Sequence, residues 1–120
     1  MSADKSTGLE PNVAGLLCYA LGWISGLVFF LIEEKDEFVR FHAMQSIIFF
    51  GAVTAVQIVL GFLQWIPGPV GVLFTVLMSL LGLFAFVMWI VLMVKAYQGQ
   101  RYKLPVVGSQ AEKYSPKRQV

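Results

Sequence analysis

Residues 43–94 contain no aspartate, glutamate, lysine or arginine over 52 consecutive positions, and nothing else in the chain restricts its fold as severely. As one α-helix the run would extend roughly 78 Å, more than twice the hydrocarbon core of a bilayer. The chain therefore has to reverse direction within it. The reversal falls at "QWIPGPVG", residues 64–71, where two prolines and two glycines oppose helix continuation and Trp65 supplies an amphipathic ring suited to an interface. Helices over about 43–64 and 70–94 follow.

A second charge-free run, "VAGLLCYALGWISGLVFFLI" at 13–32, has 20 residues, enough for one helical span of about 30 Å. Asn12 is a natural N-cap after Pro11, and "EEKDE" ends the run in place of a signal-peptide cleavage site. With 58% hydrophobic and 13% charged residues, the composition lies outside the range of soluble domains. The expected fold is an all-α integral membrane protein with three transmembrane helices. An interfacial segment precedes the second helix, and a short amphipathic segment covers 95–113. Residues 1–12 form an N-terminal tail and 114–120 a mobile basic tail. The single cysteine, Cys18, permits no internal disulfide and reads as a packing residue.

Three crossings would leave only Lys5 on the side of the N-terminal tail and the Pro-Gly turn. Lys35, Arg40, Lys95, Arg101, Lys103, Lys113, Lys117 and Arg118 would share the other side. Eight against one places the N-terminus outside and the C-terminus in the cytoplasm of a multi-pass plasma-membrane protein. No second turn signal supports a re-entrant segment inside the long apolar run. A net charge of +2, with no aromatic-interleaved basic patch, argues against nucleic-acid binding.

Gly15, Cys18, Gly22 and Gly26 recur at three- and four-residue steps and form a small-residue stripe along the first helix. Packing within the same chain is the plainer reading of this stripe, and a homo-oligomer contact the sharper one. Ser46, Thr54, Gln57, Gly61 and Gln64 share roughly one face of the second helix. An interhelical hydrogen bond from Gln57 accounts for this face more simply than a solute path, because three helices alone enclose no aqueous lumen.

In "EFVRFHAMQS", residues 37–46, Phe38, Phe41, Gln45 and Ile48 lie on one helical stripe and Arg40 on another, which suits a segment lying at the interface. Arg40 can snorkel to phosphates, and His42 with Ser46 can face one partner. One histidine without neighbouring ligands is a poor metal site, so anchoring or a structural hydrogen bond is the expectation for His42. The acidic group Glu33, Glu34, Asp36 and Glu37 reads as a solvated loop that can pair with the basic tail. Trp23, Trp65, Tyr97, Arg101, Tyr102 and Lys103 are the lipid-interface candidates, the last four facing anionic cytoplasmic headgroups. Gly99 ends the third helix, and Pro105 permits a short helix through about Lys113. No catalytic pair, nucleotide loop or metal-ligand set is present, so neither enzymatic activity nor a cofactor is expected.

The segments "AGLLCYALGWISGLVFFLIE", "FVRFHAMQS" and "AYQGQRYKLPVVG" together resemble a family of small prokaryotic membrane proteins. That family is grouped with the twenty-kilodalton component of the chloroplast inner-envelope protein translocon. The resemblance runs from about 13 to 113 and makes Arg40, Phe41, His42, Gln45 and Ser46 signature positions, with Trp23, Gly99, Leu104 and Pro105. The chloroplast relatives look like four-helix proteins of a protein-conducting channel, against three spans read here. The resemblance implies a non-enzymatic membrane protein that assembles with itself or a translocase partner and is linked to protein translocation or insertion. A small oligomeric channel or transporter using the face from Ser46 to Gln64 is the alternative.

Overall fold

The computed structural model describes residues 9–104 and 107–113. It contains α1 (Pro11–Ala20), α2 (Trp23–Ile32), α3 (Glu37–Leu63), α4 (Pro69–Tyr97) and α5 (Val107–Lys113), with no strand among the described residues. Among the described residues, α3 and α4 alone combine the length and apolar composition needed to cross a membrane. They form an antiparallel hairpin of helices about 40 Å long. Its turn lies at 64–68, as the Pro-Gly signal requires, and Pro69 occupies the first turn of α4, where its missing N–H costs no helical bond.

The first apolar run departs from expectation. It is not one helix over 13–32 but two ten-residue helices, each about 15 Å long and too short to span a bilayer. The break is at Gly22, whose φ of 66° and ψ of −140° lie in a region open only to glycine. Ser25 stitches the break by accepting from the Leu21 amide at 3.0 Å and donating to the Cys18 carbonyl at 3.1 Å.

Contacts along α3 show where this broken run goes. Gly15 sits beside Phe38, His42 and Ala96; Gly22 lies further along, against Phe50; Gly26 is back at Ala43 and Ser46. Arg40 meets Phe30 and Glu33. Helix α1 thus runs parallel to α3 for half its length, and α2 returns. The start of α1 and the end of α2 lie at the same end of the molecule. Three continuous crossings do not describe this chain, and the placement of the N-terminus outside, which rested on them, loses its basis.

Two further expectations change. Helix α3 begins at Glu37 rather than near 43, because the Asp36 carboxylate caps it, accepting from the Phe38 and Val39 amides at 2.9 and 3.3 Å. The segment "EFVRFHAMQS" is therefore the first turns of a long helix and not a separate interfacial element. Helix α4 ends at Tyr97, where the Gln100 amide bonds back to the Lys95 carbonyl at 3.0 Å and Gly99 takes a φ of 79°. Residues 100–104 then double back beside α3, with the backbone of Gln100, Tyr102 and Leu104 bonded to α3 side chains while the side chains of 100–103 stay exposed. Leu104 is buried with Tyr19, Phe49, Leu92 and Ala96. Helix α5 forms where a short helix was expected and packs near α3, with Gly108 and Ala111 buried and Gly108 against Lys103. The expectations for Lys5, Pro105, Lys117 and Arg118 fall outside the described residues.

The result is a molecule of 60 × 26 × 21 Å that is broad at one end. The first half of α3 carries eight buried residues, from Val39 to Phe49, whereas over 51–84 Gly71 alone is buried.

Candidate functional site

The broad end contains an unusual amount of non-helical backbone. A break between α1 and α2, a loop at 33–36 and an extended return at 100–104 all leave carbonyl and amide groups without helical partners, and in an apolar setting each such group is costly. The motif residues supply the partners.

Arg40 is 3% exposed and does not snorkel to lipid. Its Nη1 donates to the carbonyls of Phe30 at 2.9 Å and Glu33 at 2.6 Å, capping the C-terminus of α2, while its guanidinium lies 4.0 Å from the Phe30 ring centre. Ser46 donates to the Gly22 carbonyl at 2.8 Å, closing the break from the α3 side. The Tyr19 carbonyl, in the last turn of α1, accepts from the Trp89 indole at 2.7 Å. Three elements are thereby tied at one point.

Gln45 and His42 hold the return segment at 100–104. Gln45 Nε2 donates to the Tyr102 carbonyl at 2.8 Å and to the Tyr19 hydroxyl at 2.9 Å, and its Oε1 accepts from the Leu104 amide at 3.0 Å. His42 Nε2 lies 2.9 Å from the Gln100 carbonyl, which only accepts, so the proton belongs on Nε2. Nδ1 is then the acceptor for the Tyr19 hydroxyl at 2.6 Å. A directed chain runs from the Gln45 amide through Tyr19 and His42 to the Gln100 carbonyl, and both imidazole nitrogens are engaged. Phe38, Phe41 and Tyr19 pack edge-on around the imidazole, with ring centres 4.5–5.4 Å away. Phe41, His42, Gln45 and Ser46 are all fully buried.

Five of the candidate residues are thus brought together, but into a clasp within the chain and not onto a lipid-facing surface. The small-residue stripe resolves similarly. Gly15 and Gly26 admit close neighbours from α3 and α4, and the Cys18 thiol points at the Val39 carbonyl at 3.6 Å, so these contacts lie within the chain. Gly22 is the break itself and belongs to no stripe. Gln57 Nε2 donates to the Met78 carbonyl at 3.2 Å, the interhelical bond expected of it, and Gln64 accepts from Thr75 at 3.3 Å.

Trp23 follows the Gly22 break, halfway along α3, and so is not at an end of the bundle where an interface would lie. Trp65 is exposed at the hairpin tip, and Tyr97, Arg101, Tyr102 and Lys103 are exposed at the broad end. The acidic loop uses Glu33 to accept its own amides from Lys35 and Asp36, while Arg101 and Lys103 pair with Glu112. Among the described residues no group of three or more His, Cys, Asp and Glu is placed to hold a metal ion. Reading the sequence missed Tyr19, Ser25 and Trp89. Each looks like filler in an apolar run, and its partner lies up to 70 residues away.

Similarity to known proteins agrees with a membrane setting. A UPF0132 membrane protein of Methanocaldococcus jannaschii is 46% identical over 110 residues, 92% of this chain and 93% of that protein. A second from the same organism is 44% identical over 107 residues, 89% of this chain and 71% of its own length. One from Archaeoglobus fulgidus is 46% identical over 104 residues, covering 87% and 94%. No solved structure matches the chain. Residues 7–110 match the profile of the magnetosome magnetite crystal formation protein family, and with all but a few residues at each end inside that match, the chain belongs to this family.

Proposed function

We propose that this chain is a non-enzymatic integral membrane scaffold in which the α3–α4 hairpin crosses the bilayer and the α1–α2 hairpin is re-entrant from one side. One observation carries the reading: every polar side chain of the "RFHAMQS" clasp engages hydrogen-bonding groups of its own chain. Non-helical backbone is tolerated at membrane depth where protein satisfies it, and the clasp does so. The described basic residues Lys35, Arg40, Lys95, Arg101, Lys103 and Lys113 gather at the broad end, while the tip at 64–68 has no charge. On this reading both termini are cytoplasmic and the broad end meets anionic headgroups, which the charge asymmetry across two crossings supports.

In the finer reading the bare half of the hairpin pairs with a second copy or with a translocation or insertion partner, the role suggested by the translocon resemblance. Its exposed apolar side chains, among them Phe62, Leu80 and Leu83, support such assembly.

Single added cysteines test the topology, because the native Cys18 is fully buried. In intact cells a membrane-impermeant maleimide is expected to label Trp65→Cys but neither Glu10→Cys nor Glu112→Cys. Labelling of Glu10→Cys together with Trp65→Cys would refute two crossings, whereas labelling of Glu10→Cys and Glu112→Cys without Trp65→Cys would invert the orientation. Photocrosslinking from position 62 or 80 should capture a second copy or a translocase subunit, and monomer alone would count against assembly.

A further inference from the structure

The broad and narrow ends lie at different depths of the same membrane-crossing hairpin. The apolar part of α3 begins at Ala43, and Gly22, the deepest point of the α1–α2 hairpin, rests against Phe50, seven residues or about 10 Å further in. Leu104, the last described residue of the return segment, donates its amide to Gln45 and so lies near the start of the apolar part of α3. A leaflet of hydrocarbon is about 15 Å deep, half of the ~30 Å core. Helices α1 and α2 and the return segment therefore occupy one leaflet and its headgroup region. Beyond them only α3 and α4 continue.

With helices about 10 Å across, four in one leaflet cover roughly 300 Å² and two in the other roughly 160 Å², a ratio of about two. The excess is apolar: Ile24, Leu27 and Val28 of α2 are exposed side chains between the Gly22 break and the capped end of the helix. A body that widens one leaflet and not the other fits best where that leaflet is convex, as shallow apolar insertions do.

We infer that this protein is a curvature-selective wedge, partitioning into bilayers whose basic-end leaflet bulges outward. Under the orientation proposed above, on which this rests, that leaflet is the cytoplasmic one. The preferred surface is a membrane convex toward the cytoplasm, and the partner is the lipid surface itself.

The test uses the full chain, fluorescently labelled and reconstituted into liposomes of phosphatidylcholine and phosphatidylglycerol with a broad range of diameters. Protein per unit lipid is measured vesicle by vesicle, and protease added outside separates molecules by the side their termini occupy. Density is expected to rise by about twofold or more toward the smallest vesicles for molecules with termini outside, and to fall for those with termini inside. The same molecule then gives opposite slopes in its two orientations. Flat profiles overturn the inference, as do slopes of the same sign in both orientations. Extraction of the protein by alkaline carbonate would instead defeat the membrane-crossing reading beneath it. A chain that stays embedded without diameter dependence defeats only the wedge.

Discussion

Replacing Gln45 by leucine removes three hydrogen bonds at once while keeping an apolar side chain of similar size. The Tyr19 hydroxyl still donates to His42, but the Tyr102 carbonyl and the Leu104 amide lose their partner. Two orphaned backbone groups cost about 1–3 kcal/mol each, or about 2–6 kcal/mol if the segment stays in place. The alternative is for 100–104 to lift off and find water at the headgroups. Detachment exposes Leu104, whose burial contributes about 1.5–3 kcal/mol. The smaller cost wins, so the penalty saturates near the roughly 1.5–3 kcal/mol of that burial and takes the form of local release. Each 1.4 kcal/mol is a factor of ten, which gives roughly 10- to 100-fold faster amide exchange in α5 and at Leu104. The α1–α2 hairpin should keep its protection, because Arg40 and Ser46 still hold it. Hydrogen-exchange mass spectrometry in nanodiscs measures both regions together. Unchanged protection in α5, or an equal loss throughout the chain, would refute the idea that Gln45 acts as a local clasp on the return segment.

Other substitutions probe the remaining ties. Gly22→Ala forces a side chain into a backbone region that costs about 1–3 kcal/mol and favours a continuous helix, so the buried Cys18 should react with maleimide faster than in the native protein. In Gly26→Leu the first added carbon already falls 2.8 Å from the Ala43 carbonyl oxygen, and thermal stability in detergent should drop by at least about 1–3 kcal/mol. Gly51→Ala meets open space on a helix and should gain about 0.5–1 kcal/mol in the same assay. Arg40→Lys keeps the charge but loses the planar group that reaches two carbonyls while lying on Phe30. Protection at the end of α2 should fall without recovering when anionic lipid is added, as it would if Arg40 served the headgroups.

The long charge-free run and its Pro-Gly interruption marked by themselves two long helices joined by a turn, since 52 such residues in one helix are more than twice as long as a bilayer core is thick. Bounds of α3 and α4 differ from expectation mainly where Asp36 caps a helix earlier and Gly99 closes one later, both local effects. The sequence also marked "RFHAMQS" as special, because polar side chains entering an apolar run demand partners. What those partners are was decided only by the tertiary structure. Gly22 sits in a run as apolar as any spanning helix, and its break persists because Ser46, Ser25 and Trp89, from three different elements, satisfy the backbone it exposes. Helical periodicity reports which residues share a face, whereas two of the three groups that satisfy the broken backbone lie 24 and 70 positions away, and no local pattern carries that information.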